Sequence, residues 1–137
     1  MVVIRIVLLV FAGGALGAML REFLMLRVPT LSRGFPLDIL VANLVAAFLL
    51  GLAAALHNRK VASDTLYALI GTGVTGGLST FSSFAYGSSV LMTRSLTGSI
   101  VALAYVVISL VMGYIAVIAG IRIGQKVADS RNTHAPD

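Results

Sequence analysis

The residues of this chain with the most chemistry to offer are neutral amides, hydroxyls and ring edges, not acids, bases or thiols. Residues 71 to 84 read Gly-Thr-Gly-Val-Thr-Gly-Gly-Leu-Ser-Thr-Phe-Ser-Ser-Phe. Glycine weakens a helix by roughly 1 kcal/mol relative to alanine, so the adjacent Gly76-Gly77 predicts a break. A broken backbone frees carbonyls, which are hard oxygen ligands suited to Na⁺ or K⁺. A helix restarting near Ser79 turns its first amide hydrogens toward an anion. A glycine-rich packing face with a kink is the plainer alternative. Phe81 and Phe84 stand three apart, on one helix face, and flank Ser82 and Ser83. Aromatic edges carry partial positive charge and touch an anion weakly.

Asn43 lies in an apolar run, where its side-chain amide can donate two hydrogen bonds to an ion or join two helices. Tyr105 and Ser109, one turn apart, extend a polar stripe. Cysteine is absent, which excludes disulfides, thiol nucleophiles and thiolate metal sites. His57 and His134 fall in apparent loop and tail, so a histidine metal site is not expected. The sequence holds no acid–base constellation, so no enzyme is expected.

These residues need a membrane to position them. The 137 residues are 58% hydrophobic and only 11% charged, with mean hydropathy +1.01. Soluble domains carry about a quarter of their residues as charges. The net charge of +5 comes from ten basic residues that lie mostly between apolar runs, where they act as topology signals and contacts with anionic lipid.

The uncharged runs are Ile6–Leu20, Ile39–Leu56, Thr65–Thr93 and Ser95–Ile121. At roughly 20 residues per span, they predict an all-α integral membrane protein of four transmembrane helices, the third broken near Gly76-Gly77. The first run is expected to be a span, not a cleaved leader. Residues 1–127 form one transmembrane domain, and the polar tail 128–137 is expected to be disordered. With both termini on one side, that side carries Arg5, Arg59, Lys60, Arg122, Lys126 and Arg131, against Arg21, Arg27, Arg33 and Arg94 on the other. So small an asymmetry predicts insertion in both orientations, and a dual-topology chain of that kind can pair antiparallel with itself. Gly13/Gly17 and Gly73/Gly77 are GxxxG pairs that permit close helix approach.

Three stretches together resemble the Fluc (CrcB) family of bacterial fluoride channels. They are Gly13-Gly-Ala-Leu-Gly-Ala-Met-Leu-Arg21, Val41-Ala-Asn43-Leu-Val-Ala-Ala-Phe48-Leu-Leu-Gly51, and Gly76-Gly-Leu-Ser-Thr-Phe81-Ser-Ser-Phe84. The third is the most specific. The resemblance implies a channel of the bacterial inner membrane for passive fluoride export, with two pores in an antiparallel homodimer. It implies that Phe81 and Phe84 line the ion path and that Asn43 donates to fluoride. Gly76 and Ser79 would give backbone carbonyls to a structural sodium ion at the dimer centre. Ser82, Ser83, Tyr105 and Ser109 would offer hydroxyls, and Arg21 would attract anions at a vestibule. The chain departs from the family pattern at Asp38-Ile39, where Gly-Thr is usual, at Gly87, where Glu is usual, and at Gly113 on the polar stripe.

Two rival readings remain. A small proton-coupled exporter of drug-like cations needs a carboxylate within the membrane, and Glu22, beside Arg21 at a helix end, is the candidate. A structural membrane subunit without transport explains the apolarity but not the glycine break with its hydroxyls.

Overall fold

The computed structural model describes residues 2–28, 35–94 and 96–132, and every regular element in them is helical. Helix α1 spans Val2–Arg27 and α2 spans Leu37–Asn58. The third run is a succession of α3 (Asp64–Tyr67), a π-helical stretch (Ala68–Val74), α4 (Thr75–Leu78) and, after a gap, α5 (Phe81–Arg94). Helix α6 spans Leu96–Asn132.

Among the described residues, three helices are long and apolar enough to cross a membrane: α1, α2 and α6. Leucine, valine, isoleucine and alanine surround all three, the pattern of a helix solvated by lipid or protein and not of one riding on water. Each runs past the charges that bound the uncharged runs. Arg5, Arg21 and Arg122 are all helical, because backbone hydrogen bonding continues where the side chain can reach toward the interface. The 37 residues of α6 span about 55 Å at 1.5 Å per residue, beyond a hydrocarbon core of about 30 Å. Ala128 to Asn132, expected in a disordered tail, therefore continue α6, and Ala128 is buried. Residues 133–137, with His134, lie outside the described residues.

The break is not where the glycine pair predicts it. Gly76 and Gly77 stay helical, and the helix parts at Ser79 and Thr80, where Ser79 turns extended (φ −75°, ψ 151°). The halves, 64–78 and 81–94, are each about 22 Å long, too short to cross alone.

The glycines serve helix contact instead. Helix α1 lies along the π stretch and α4. A Cβ on Gly17 would press on the Val74 carbonyl oxygen and stand 2.8 Å from the Leu78 nitrogen. One on Gly77 would press on the Gly14 carbonyl oxygen and stand 2.9 Å from the Ala18 nitrogen. The two GxxxG pairs thus face each other, as small-residue packing requires. On the other side α6 packs against α2 and α5.

The turn after α2 is pinned. Arg59 Nη1 donates to Asp129 Oδ1 on α6 at 2.8 Å, and the Ser63 hydroxyl caps α3 by accepting from the Leu66 amide. The His57 ring stacks on Tyr67 with centroids 4.5 Å apart, a packing role. No metal-binding cluster of His, Cys, Asp or Glu occurs among the described residues.

Candidate functional site

The site is built around the gap between α4 and α5, and Thr80 is its hub. The Thr80 amide donates to Asn43 Oδ1 at 2.7 Å, and Asn43 Nδ2 donates to the Thr80 carbonyl at 3.3 Å. One side-chain amide on α2 thereby replaces helical bonds that the gap removes. Thr80 also caps α5: its Oγ1 accepts from the Ser83 amide at 3.2 Å and donates to Ser83 Oγ at 2.9 Å. A threonine at the N-cap satisfies an orphan amide of the first turn.

These bonds decide which carbonyls are left over. In an unbroken helix the Gly76 carbonyl would accept from the Thr80 amide and the Ser79 carbonyl from the Ser83 amide. Both amides are occupied by side chains, Asn43 and Thr80 respectively. The gap leaves the carbonyls of Gly76 to Ser79 without their helical partners, and of these residues Gly76 and Ser79 are exposed on one recess. The Gly77 carbonyl is treated differently: Arg21 Nη1 donates to it at 3.0 Å. Arg21, expected at a vestibule, thus meets a helix-end carbonyl beside the break.

The recess, of about 580 Å³, is lined by Asn43, Tyr67, Gly76, Ser79, Thr80, Phe81 and Phe84 among others. It gathers the expected asparagine, both phenylalanines and both carbonyl donors. Asn43 spends its Oδ1 and one N–H on Thr80, which leaves its second N–H for a ligand. Phe81 is 80% exposed, and its ring centroid lies 6.0 Å from that of Phe84. Phe84 reaches Tyr105 at 5.3 Å, and Tyr105 meets Phe35 edge-on at 5.2 Å.

The structure does not place every expected residue in that recess. Ser82 and Ser83 line a separate one with Met25, Ile39 and Tyr86, because residues next to Phe81 and Phe84 point to another face of α5. Tyr105 is fully buried behind Phe84. The Tyr105 and Ser109 hydroxyls have no hydrogen-bond partner, and neither has Oδ1 of Asp38. Glu22, the carboxylate considered for proton exchange, is exposed; the buried carboxylate oxygen belongs to Asp38.

One participant is not among the expected site residues: Thr80 carries a usable signal, a threonine directly ahead of an aromatic helical run. Asp38, expected in the loop before the second span, lies in the first turn of α2, where an acid suits the helix dipole.

The sequence relationships agree with this geometry. The family model described as "CrcB-like protein, Camphor Resistance (CrcB)" matches residues 8–121. The chain is 56% identical over 131 residues to a Brucella abortus protein named fluoride-specific ion channel FluC 1, covering 96% of this chain and 48% of that relative. It is 50% identical over 122 residues to FluC 3 of Yersinia pseudotuberculosis, covering 89% of this chain and 90% of the relative. The Deinococcus radiodurans protein named fluoride-specific ion channel FluC is 38% identical over 117 residues, covering 84% and 91%. The chain spans about half the length of the Brucella relatives it matches. The matched stretch runs from α1 to α6 and contains the whole gap between α4 and α5, and on that ground the chain belongs to the CrcB-like protein family.

Proposed function

We propose that this chain is a fluoride-selective channel that exports fluoride passively across the bacterial inner membrane. The observation that carries the reading is the recess at the gap. There Asn43, Phe81 and Phe84 present one amide hydrogen and two rings beside freed backbone. Fluoride is small and strongly hydrated, so conduction needs partners good enough to replace water yet weak enough to release the ion. An amide donor and ring edges meet that need. Arg21 is engaged with the Gly77 carbonyl. The names of the Brucella, Yersinia and Deinococcus relatives support fluoride as the ion.

The working unit is an antiparallel homodimer with two pores, in which 64–78 and 81–94 together make a fourth crossing. Phe81 and the recess are open on a single copy, and a second copy would cover them. The Gly76 and Ser79 carbonyls of two copies would hold a structural sodium ion, since two carbonyls alone do not complete a cation's shell. No chemistry passes through that ion; it joins the breaks.

Purified protein in liposomes should pass fluoride down an imposed gradient and exclude chloride. Equal chloride flux would refute fluoride selectivity, and flux that requires a pH gradient would favour the proton-coupled exporter. A C-terminal reporter should appear on both sides of the membrane; strict one-sidedness would remove the antiparallel pair.

A further inference from the structure

The turn between α2 and α3 carries two adjoining hollows of opposite character. One is apolar, about 200 Å³, lined by Leu49, Leu52 and Leu56 of α2 and by Leu66, Tyr67 and Ile70 of the third run. From Leu49 to Leu56 it follows α2 for about 10 Å, and the small side chain of Ala53 leaves it open. The other hollow is polar and is lined by His57, Asn58, Lys60, Ser63 and Asp64. Ala62 lines both. The His57 and Tyr67 rings, stacked with centroids 4.5 Å apart, stand at the junction, one lining each hollow. His57 Nδ1 donates to the Ala62 carbonyl at 3.3 Å, which holds that ring in place.

Helix α2 ends in a Schellman pair of bonds. The Val61 amide donates to the Leu56 carbonyl at 2.9 Å, and the Lys60 amide donates to the His57 carbonyl at 2.8 Å. The left-handed residue of such an end is usually glycine. Here it is Lys60, at φ 58°. A side chain kept at the cost of backbone strain points to a use for it. Lys60 has no ion-pair partner among the described residues, whereas Arg59 is held by Asp129. Asp64, its side chain 98% exposed, has only the His57 ring as an ionic neighbour among the described residues, at 3.9 Å. The Ser63 hydroxyl accepts from the Leu66 amide and keeps its own hydrogen for an acceptor.

The polar hollow lies just beyond Leu56, the last apolar residue of α2, where a bilayer places its headgroups, and the apolar hollow lies on the hydrocarbon side. A cation, an anion and a hydroxyl on one rim, over an apolar groove, match an amphiphile whose head carries both signs. We propose that this turn binds a zwitterionic phospholipid with a primary ammonium, one acyl chain lying in the groove. Lys60 and Ser63 meet its phosphate, and Asp64 accepts from its ammonium. A purely anionic head is repelled by Asp64, and a quaternary ammonium has no hydrogen to give it. The site goes beyond the channel reading and needs only a bilayer.

The test is native mass spectrometry of the full-length protein released from detergent micelles that hold phosphatidylethanolamine, phosphatidylglycerol or phosphatidylcholine with identical acyl chains. Thermal melts are taken in the same mixtures. Phosphatidylethanolamine adducts should be retained about threefold more than either other lipid, the scale of one exposed charge pair, and should raise the melting temperature most. Asp64→Asn should erase that preference while phosphatidylglycerol still binds. Lys60→Gly should relax the left-handed turn and raise the melting temperature without lipid, yet retain fewer phosphatidylethanolamine adducts; a merely structural lysine would leave the adducts unchanged. Ala53→Phe fills the groove and should lower retention of all three lipids. Equal retention of the three lipids by the parent, phosphatidylglycerol ahead of phosphatidylethanolamine, or an unchanged preference in Asp64→Asn overturns the site. Parent-like adducts in both Lys60→Gly and Ala53→Phe do so too. A dimer that carries no lipid adduct also overturns it, because a second copy would then be what covers the groove.

Discussion

Removing the Asn43 side-chain amide should let the broken helix heal, and the cost can be worked from two bonds. Asn43→Leu deletes the 2.7 Å acceptor of the Thr80 amide and the 3.3 Å donor to its carbonyl. Thr80 is buried, so an orphaned amide there costs about 1–3 kcal/mol. The longer bond contributes about 0.5 kcal/mol, in line with interhelical bonds measured in membrane proteins. The sum, about 2 kcal/mol, is partly recovered if the Thr80 amide turns to the Gly76 carbonyl and completes a helical bond. Asn43→Leu should therefore lower thermal stability by only about 1–2 kcal/mol, yet abolish fluoride flux, since it closes the freed carbonyl and deletes the spare N–H. Asn43→Asp keeps the acceptor and should lose less stability. The assay pairs a thermal melt in detergent with fluoride efflux from liposomes, and amide hydrogen exchange at Thr80 and Ser83 reports the break directly. Parent-like flux in Asn43→Leu would refute the argument. So would loss of flux with exchange at Thr80 fully exposed, because that means the gap opened instead of healing.

Two further outcomes follow from packing. Gly17→Ala should destabilise by about 1–3 kcal/mol, the range for overpacked sites, because its Cβ meets Val74 and Leu78 backbone. Gly14→Ala should be neutral or gain about 0.5 kcal/mol in helix propensity, its nearest contact being 3.9 Å away; equal melting of the two would refute the close approach. Phe81→Ile and Phe84→Ile should each cut fluoride efflux. Only Phe84→Ile should also lower stability, by about 1 kcal/mol, through its ring contact with Tyr105; unchanged efflux in both would remove the rings from the ion path.

Apolar runs bounded by charge made the helices legible, and the GxxxG spacing made the α1 contact legible, because both are periodic properties of neighbouring residues. The break was legible only to within a few residues. Gly76 and Gly77 advertise weakness, but α1 packs against Gly77 and holds that turn helical. The gap falls instead where Thr80 can cap α5 and Asn43 can take the amide, a pairing across 37 residues. The Arg21 bond spans 56. No local pattern encodes either partner.

The gap explains why a chain with so few charges spends one on Arg21. A helix ending inside protein leaves several carbonyls unpaired, and a membrane supplies no water to meet them. Were all of them left free, they would make a strongly negative cluster beside the path that the proposed reading assigns to an anion. Arg21 offsets the Gly77 carbonyl with a fixed charge, so its guanidinium draws the field of the helix end toward α1 and away from the recess. What remains includes the carbonyls of Gly76 and Ser79, whose residues line the recess. On the proposed reading, a single monovalent cation shared by two copies balances those carbonyls without becoming a trap for fluoride. The glycines complete the logic. Only the close approach of α1 at Gly17 and Gly77 brings Arg21 within 3.0 Å of the carbonyl it must meet. The packing motif and the electrostatics of the gap therefore depend on the same few residues.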